Sequence, residues 1–243
     1  MTVSDTIDPD LGDPELGDPG VGDPGPGVPA PVDPGGVAGT VPYPWPWDGS
    51  LVPGRTGLVV CGVQRAHAAA SPTARPVGER IAALARAVRR FGGTVVHVRH
   101  RAPGAGSPTP AHRERPLLPM VGDPGWAPVL SPSPTDVVVD ATGHDGFCGS
   151  GLDGELRSRG VDTLVVVGFA AEVAVSGTVR AANDRGYECL TLSDAAAPLD
   201  AETGHHHLHS ITMSGGIFGA VGTTDALLDA LHAAPDATTG RTT

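Results

Sequence analysis

The sequence predicts a doubly wound α/β domain with a parallel sheet, and three observations carry that expectation. Apolar, β-branched runs alternate with stretches of helical periodicity along most of the chain. One run, Thr163-Leu164-Val165-Val166-Val167, is apolar or β-branched throughout, as suits a strand covered by helices on both faces. A length of 243 residues is within what one such domain occupies.

In chain order, Met1–Ala38 comes first, with eight acidic residues, no basic one, and Asp-Pro at Asp8, Asp13, Asp18, Asp23 and Asp33. Such a composition buries almost nothing apolar, so residues 1–40 are expected to form a disordered acidic tail. The tail serves either as a passive leader or as an interaction arm. Val41-Pro42-Tyr43-Pro44-Trp45-Pro46-Trp47 follows, holding three of the nine aromatic residues. Its prolines favour a polyproline-II strand, of the kind another domain can bind. The domain proper is expected over residues 41–234, with a second disordered tail over 235–243.

Within the domain, a strand is expected over 57–61, then a helix over about 73–90 with Ile81, Leu84, Ala85 and Val88 on one face. A strand over 94–99 leads into a long proline-rich connection, 101–134, suited to cap a pocket. A third strand is expected over 136–139 and a short helix over 152–159. After the strand at 163–167, Gly168 turns the chain into a helix on which Val173, Ser176, Gly177, Arg180 and Ala181 share a face, with Gly186 as its stop. A strand over 188–192, a helix over 205–213, a strand over 217–221 and a helix over 224–232 complete the alternation. Right-handed connections then give a sheet with helices on both faces. In such sheets ligands bind where a strand's carboxyl end meets the next helix N-terminus, here around Gly168, and the free N–H groups there favour an anion or a developing oxyanion.

Charge and composition exclude several classes. The formal charge is −11, but outside the tail 19 acidic residues face 16 basic ones. No basic stripe points to nucleic acid, and no apolar run is long enough to span a membrane. The amino terminus lacks the basic and apolar regions of a signal peptide, and a reducing cytoplasm is the expected location. Cys61, Cys148 and Cys189 are too scattered for a disulfide framework or a zinc site, and no cofactor is expected. All 16 basic residues are arginine; the chain contains no lysine.

The segment Gly168-Phe169-Ala170-Ala171-Glu172-Val173-Ala174-Val175, with Arg180–Cys189 and Gly215–Val221, resembles the isochorismatase-like cysteine hydrolases. The likeness runs from about Pro42 to about Leu231 and is nearest the biuret hydrolase and ureidoacrylate amidase branch. Those hydrolases carry a similar Tyr-Pro-Trp-Pro lead-in, which implies that Val41–Trp47 is a strap on the body or on a neighbouring subunit. It implies a six-stranded parallel sheet in the order 3-2-1-4-5-6, and an Asp-Lys-Cys triad at the ends of three strands. It also implies a cis peptide between Phe169 and Ala170 that turns the N–H groups of Ala170 and Ala174 toward a substrate carbonyl, unless that bond has relaxed to trans.

The three positions depart from the pattern. Cys61-Gly62-Val63-Gln64 places Gly62 where the family has its Asp, with Gln64 in register. Asp140-Ala141-Thr142-Gly143-His144-Asp145-Gly146-Phe147 places Ala141 at the lysine, and Ala174 stands at the cysteine. A thiolate, its base and its supporting cation are all needed for cysteine amidolysis, so no catalytic residue of that mechanism is intact.

The expected pocket is bounded by Gln64, His144, Asp145, Phe147, Phe169, Ala170 and Glu172. Within it His67, His144, Asp145 and Glu172 are placed near the mouth, where a His–carboxylate pair would activate water. Cys61 alternates to the far face of its strand, Cys148 lies in a pocket loop, and Cys189 reads as core. His205, His206, His207 and His209 form either a solvated helix start or part of a metal site, and no other ligand in sequence completes one. The expectation is a non-catalytic relative that binds a small amide or ureide, or that joins a homo-oligomer or a hetero-oligomer with an active relative. The alternatives are a C–N hydrolase with a non-cysteine mechanism, and an interaction module.

Overall fold

The structure, a computed structural model, describes residues 36–103 and 117–234. Both terminal tails lie largely outside that range, as does the middle of the long connection. Six strands form one parallel sheet: β1 (Thr56–Cys61), β2 (Thr94–Arg101), β3 (Val137–Thr142), β4 (Thr163–Phe169), β5 (Glu188–Ala197) and β6 (Ala220–Gly222). Their order is β3-β2-β1-β4-β5-β6, as the resemblance implies. The connecting helices are α1 (Arg65–Ala70), α2 (Ala74–Phe91), α3 (Leu152–Ser158), α4 (Ser176–Asn183), α5 (Ala201–Gly216) and α6 (Thr224–Ala233).

Strand alternation divides the core into two layers. Leu58 and Val60 of β1, Val165 and Val167 of β4 and Leu190 of β5 pack with Ile81, Leu84 and Val88 of α2 and Leu227 of α6. Their neighbours Val59, Cys61, Leu164 and Val166 face the opposite layer, with Leu152 and Leu156 of α3 and Val179 of α4. Burial on both faces explains why the central strands read as unbroken apolar runs. Each large aliphatic side chain so buried contributes roughly 1.5–3 kcal/mol.

Several boundaries differ from expectation. β3 runs on to Thr142, so Ala141 lies within the strand and is fully buried. β5 continues to Ala197, and its register against β4 shifts between Val166 and Gly168. α5 starts at Ala201, where Asp200 caps it by accepting from the Thr203 N–H at 2.9 Å, and its helical geometry breaks at Met213–Gly215. The last strand is shorter than 217–221, and Ile217 is about half exposed. The six-residue α1 has no counterpart among the expected elements, and no side chain caps it.

The aromatic strap docks on the body, but not as an extended polyproline strand. The chain folds back on itself, with the Val37 N–H donating to the Trp45 carbonyl at 2.8 Å. Trp45 is fully buried in the α2 layer, and Val41 exchanges two backbone hydrogen bonds with Val221 at 3.0 and 2.8 Å. The Val41-Pro42 and Trp45-Pro46 bonds are cis. Residues 36–40, placed in the tail by composition, belong to this fold-back, and Val37 is buried.

Candidate active site

Gly62, Ala141 and Ala174 lie toward the carboxyl end of the sheet: Gly62 directly after β1, Ala141 near the end of β3, Ala174 in the turn after β4. That turn, Ala171–Val175, is a single π turn, a form common at functional sites. Thr178 ties the three connections together. Its hydroxyl donates to the Ala174 carbonyl at 2.7 Å and accepts from the Gly146 N–H at 3.0 Å, with Cys61 Sγ at 3.5 Å.

The neighbourhood of Gly62 is built around glycine. Its φ is +60°, in the left-handed region, and a Cβ there would come within 3.0 Å of the Phe169 carbonyl oxygen. The same Cβ would stand 3.2 Å from His67 Nε2, so the His67 ring, carried by α1, lies beside the place a side chain at 62 would take. Gly168 answers to a similar constraint: at φ +137° its hydrogen faces the Cys61 backbone, where no Cβ fits. Glycine at 168 is therefore what allows β4 to lie against β1 here.

His67 and His100 form a buried pair, ring centroids 5.9 Å apart and neither ring exposed. The His100 main chain is clasped by Gln64, whose Oε1 accepts the His100 N–H at 2.7 Å and whose Nε2 donates to its carbonyl at 3.2 Å. His100 Nδ1 lies 2.9 Å from the Gly143 carbonyl, an acceptor, so Nδ1 carries the proton and Nε2 is left as a lone pair. Among the described residues, His100 Nε2 and both His67 nitrogens are buried without a hydrogen-bond partner. Desolvation, with the neighbouring imidazoles of His100 and His144, pushes His67 down to about 3. Desolvation likewise takes His100 to about 4, against the Gly143 hydrogen bond. Both rings are neutral at pH 7, and His67 is far too weak a base to activate water there.

The other expected pocket residues separate. Gln64 is buried and committed to His100 and, at 3.4 Å, to the Trp126 carbonyl. Glu172 turns away: its Oε1 accepts from the Leu199 N–H at 2.8 Å. Asp145 is partly buried, with its pKa raised by desolvation, and accepts the Phe147 N–H at 2.8 Å; His144 is exposed. Phe147 is buried between Tyr187 and Arg185. The expected acid–base group near the mouth is thus not one cluster, since His67 is fully buried and the Glu172 carboxylate is held by the N–H groups of Leu199 and Asp200 between β5 and α5.

The Phe169-Ala170 bond is cis, as the resemblance implies. The Ala174 N–H, however, does not point at a ligand; it donates to the Ala170 carbonyl at 3.0 Å, an acceptor it shares with Val173 and Val175. Among the thiols, Cys61 and Cys189 are buried and Cys148 is exposed. The histidine run falls inside α5 rather than at its start. His207 is buried, both its ring nitrogens lack a partner among the described residues, and desolvation pushes it down to about 4, so the solvated reading fails there. Among the described residues, no group of three His, Cys, Asp or Glu is placed to hold a metal ion.

Sequence reading missed His100. Its signal was the alternation of β2, which puts an imidazole beside Val96 and Val98 on a core-facing row.

A family model described as the isochorismatase domain matches residues 56–226. The chain is 32% identical over 188 residues to the ureidoacrylate amidohydrolase RutB of Methylobacterium radiotolerans, covering 64% of this chain and 72% of that protein. It is 34% identical over 140 residues to the RutB of Methylorubrum extorquens, covering 49% of this chain but only 56% of that protein's length. Among solved structures, a cysteine hydrolase from Pseudomonas syringae pv. phaseolicola 1448A is similar with a TM-score of 0.68 and 27% identity, over 75% of this chain and 94% of that one.

Proposed function

This chain belongs to the isochorismatase family of hydrolases, and from that premise we propose that it is a member without the family's cysteine chemistry. In this reading it binds a small amide or ureide without hydrolysing it, or serves as a non-catalytic subunit in an assembly with itself or with an active relative. The observation that carries the reading is Gly62. The position assigned to the base is glycine in a left-handed conformation, with a carbonyl and an imidazole set against the space a side chain would need. That is a whole environment fitted to glycine rather than a single truncation. Glycine and alanine at all three triad positions leave no nucleophile, base or cation. Oxyanion stabilisation and binding alone would give on the order of 10³–10⁴ over water, too little against slow amide hydrolysis.

A non-cysteine hydrolysis is the alternative. It finds less support, because His67 is buried with a depressed pKa and Glu172 is occupied by backbone N–H groups. Likewise, a pure interaction module would leave the glycine-fitted strand ends at Gly62 and Gly168 unexplained.

The test is ammonia release from the purified full chain with nicotinamide, biuret, ureidoacrylate and simple amides, run beside thermal shifts with the same compounds. The expected result is no release above buffer, with one compound class raising the melting temperature. Ammonia release that persists after thiol alkylation and vanishes in Asp145→Asn would replace this reading with the alternative.

A further inference from the structure

A cleft with an interior of about 100 Å³ lies between β1, β2, β3 and the segment Pro128–Pro132. An enclosed apolar cavity of about 150 Å³ takes up a whole benzene ring, so this smaller interior, open at its mouth, seats one ring with an edge toward solvent. It shares Val63 and Gln64 with the turn after β1 but lies on the other side of β2 from the His67–His100 pair. Its walls are mainly apolar, with Val60, Val63, Leu130 and Val138 among them.

One polar side chain is set into that wall by a buried network. His97, with 7% of its side chain exposed, places Nε2 3.0 Å from Asp136 Oδ2. The Asp136 side chain is 1% exposed and accepts from Arg89 Nε and Nη2 at 2.7 and 2.6 Å and from the Ser133 N–H at 2.8 Å. Burial alone would raise the Asp136 carboxyl, but Arg89, the Ser133 N–H and His97 together hold it below the usual range. An ionised carboxylate only accepts, so Nε2 carries the imidazole proton. Desolvation, outweighing the attraction of Asp136, keeps the ring neutral, and Nδ1 is then a lone pair. The other polar groups of the wall are already engaged. Arg99 Nε donates to Asp140 at 2.7 Å and its guanidinium lies over Trp126, while Gln64 holds His100.

The cleft therefore presents mainly apolar surface and the His97 ring, with Arg99 and Gln64 engaged elsewhere. We infer that it is a second ligand site in which His97 Nδ1 accepts from a small uncharged molecule that has an apolar ring and a single hydrogen-bond donor, the chemistry of a phenol.

Ligand-observed NMR titration of the full chain with phenol and with toluene tests this. Phenol is expected to bind about tenfold tighter than toluene, the scale set by one hydrogen bond. Val138 is 41% exposed, so Val138→Trp fills the cleft from an exposed position of β3 and is expected to weaken phenol binding about tenfold or more with the far-ultraviolet spectrum unchanged. His97→Leu is expected to keep toluene binding and lose the preference for phenol. Equal binding of the two ligands to the natural chain, unchanged phenol binding by Val138→Trp, or no phenol binding at all would each overturn the inference. Should His97→Leu fail to fold, the Val138→Trp comparison decides alone.

Discussion

The carbonyl of Phe169, the last residue of β4, stands against the spot where Gly62, directly after β1, would carry its Cβ. Two strand ends are thereby locked together on condition that residue 62 has no side chain.

Gly62→Ala is accordingly expected to cost about 2–4 kcal/mol, combining left-handed strain with a clash against backbone that cannot swing away. Urea denaturation at pH 7 measures it. A loss under about 0.5 kcal/mol would mean that the turn relaxes freely. The same geometry predicts that Gly62→Asp, Ala141→Lys and Ala174→Cys together recover no amidase activity, because the Asp cannot be seated beside His67.

The buried imidazoles set an acid limit. His67 and His100 have folded-state values of about 3 and about 4, below the ordinary 6.5, so they stay neutral while the unfolded chain takes up protons. Their contribution is complete above about pH 6.5 and is lost as pH falls through that window toward 3–4. Each such group steepens the fall by up to about 1.4 kcal/mol per pH unit. His67→Phe should flatten the slope between about pH 6 and 4.5 by that amount, read from urea midpoints at several pH values. It should also leave pH 7 stability unchanged or higher by about 1–3 kcal/mol, since two unpartnered nitrogens disappear.

The three thiols should differ sharply toward iodoacetamide. Burial pushes Cys61 up to about 12 and raises Cys189 as well, whereas Cys148 is exposed. Peptide mass spectrometry is expected to find label on Cys148 alone in the native protein and on all three in urea. Native labelling of Cys61 would show that the strand end opens.

Trp45 and Trp47 sit two residues apart with opposite fates, the first fully buried and the second 73% exposed against Tyr43. Trp45→Ala should cost about 3–5 kcal/mol and Trp47→Ala under about 1 kcal/mol. Calorimetry should likewise find that removing residues 1–35 leaves the melting temperature in place while removing 1–47 lowers it.

Much of the sheet was legible in the sequence because its strands are buried on both faces and its glycines mark forced turns. β4 shows both signals: the run from Thr163 to Val167 ends at Gly168, which the Cys61 backbone allows no side chain. The ends of β3 and β5 were harder, since Asp140, Thr142 and Ser193 to Ala197 interrupt the apolar pattern and only cross-strand pairing extends them. The candidate site was legible as a set of positions but not as an environment. His67 and His100 are far apart in sequence, and their pairing depends on α1, a helix too short and uncapped to announce itself. His207 was misread because α5 begins before the histidine run, on the cap of Asp200.

The paired backbone of Val41 and Val221 also covers part of an edge of the sheet. β6 is a rim of the sheet, and a rim with free N–H and C=O groups is a template for another chain's strand. The strap occupies that template at Val221, so a nick or truncation that frees Val41 is expected to expose the β6 rim to edge-to-edge pairing with another chain.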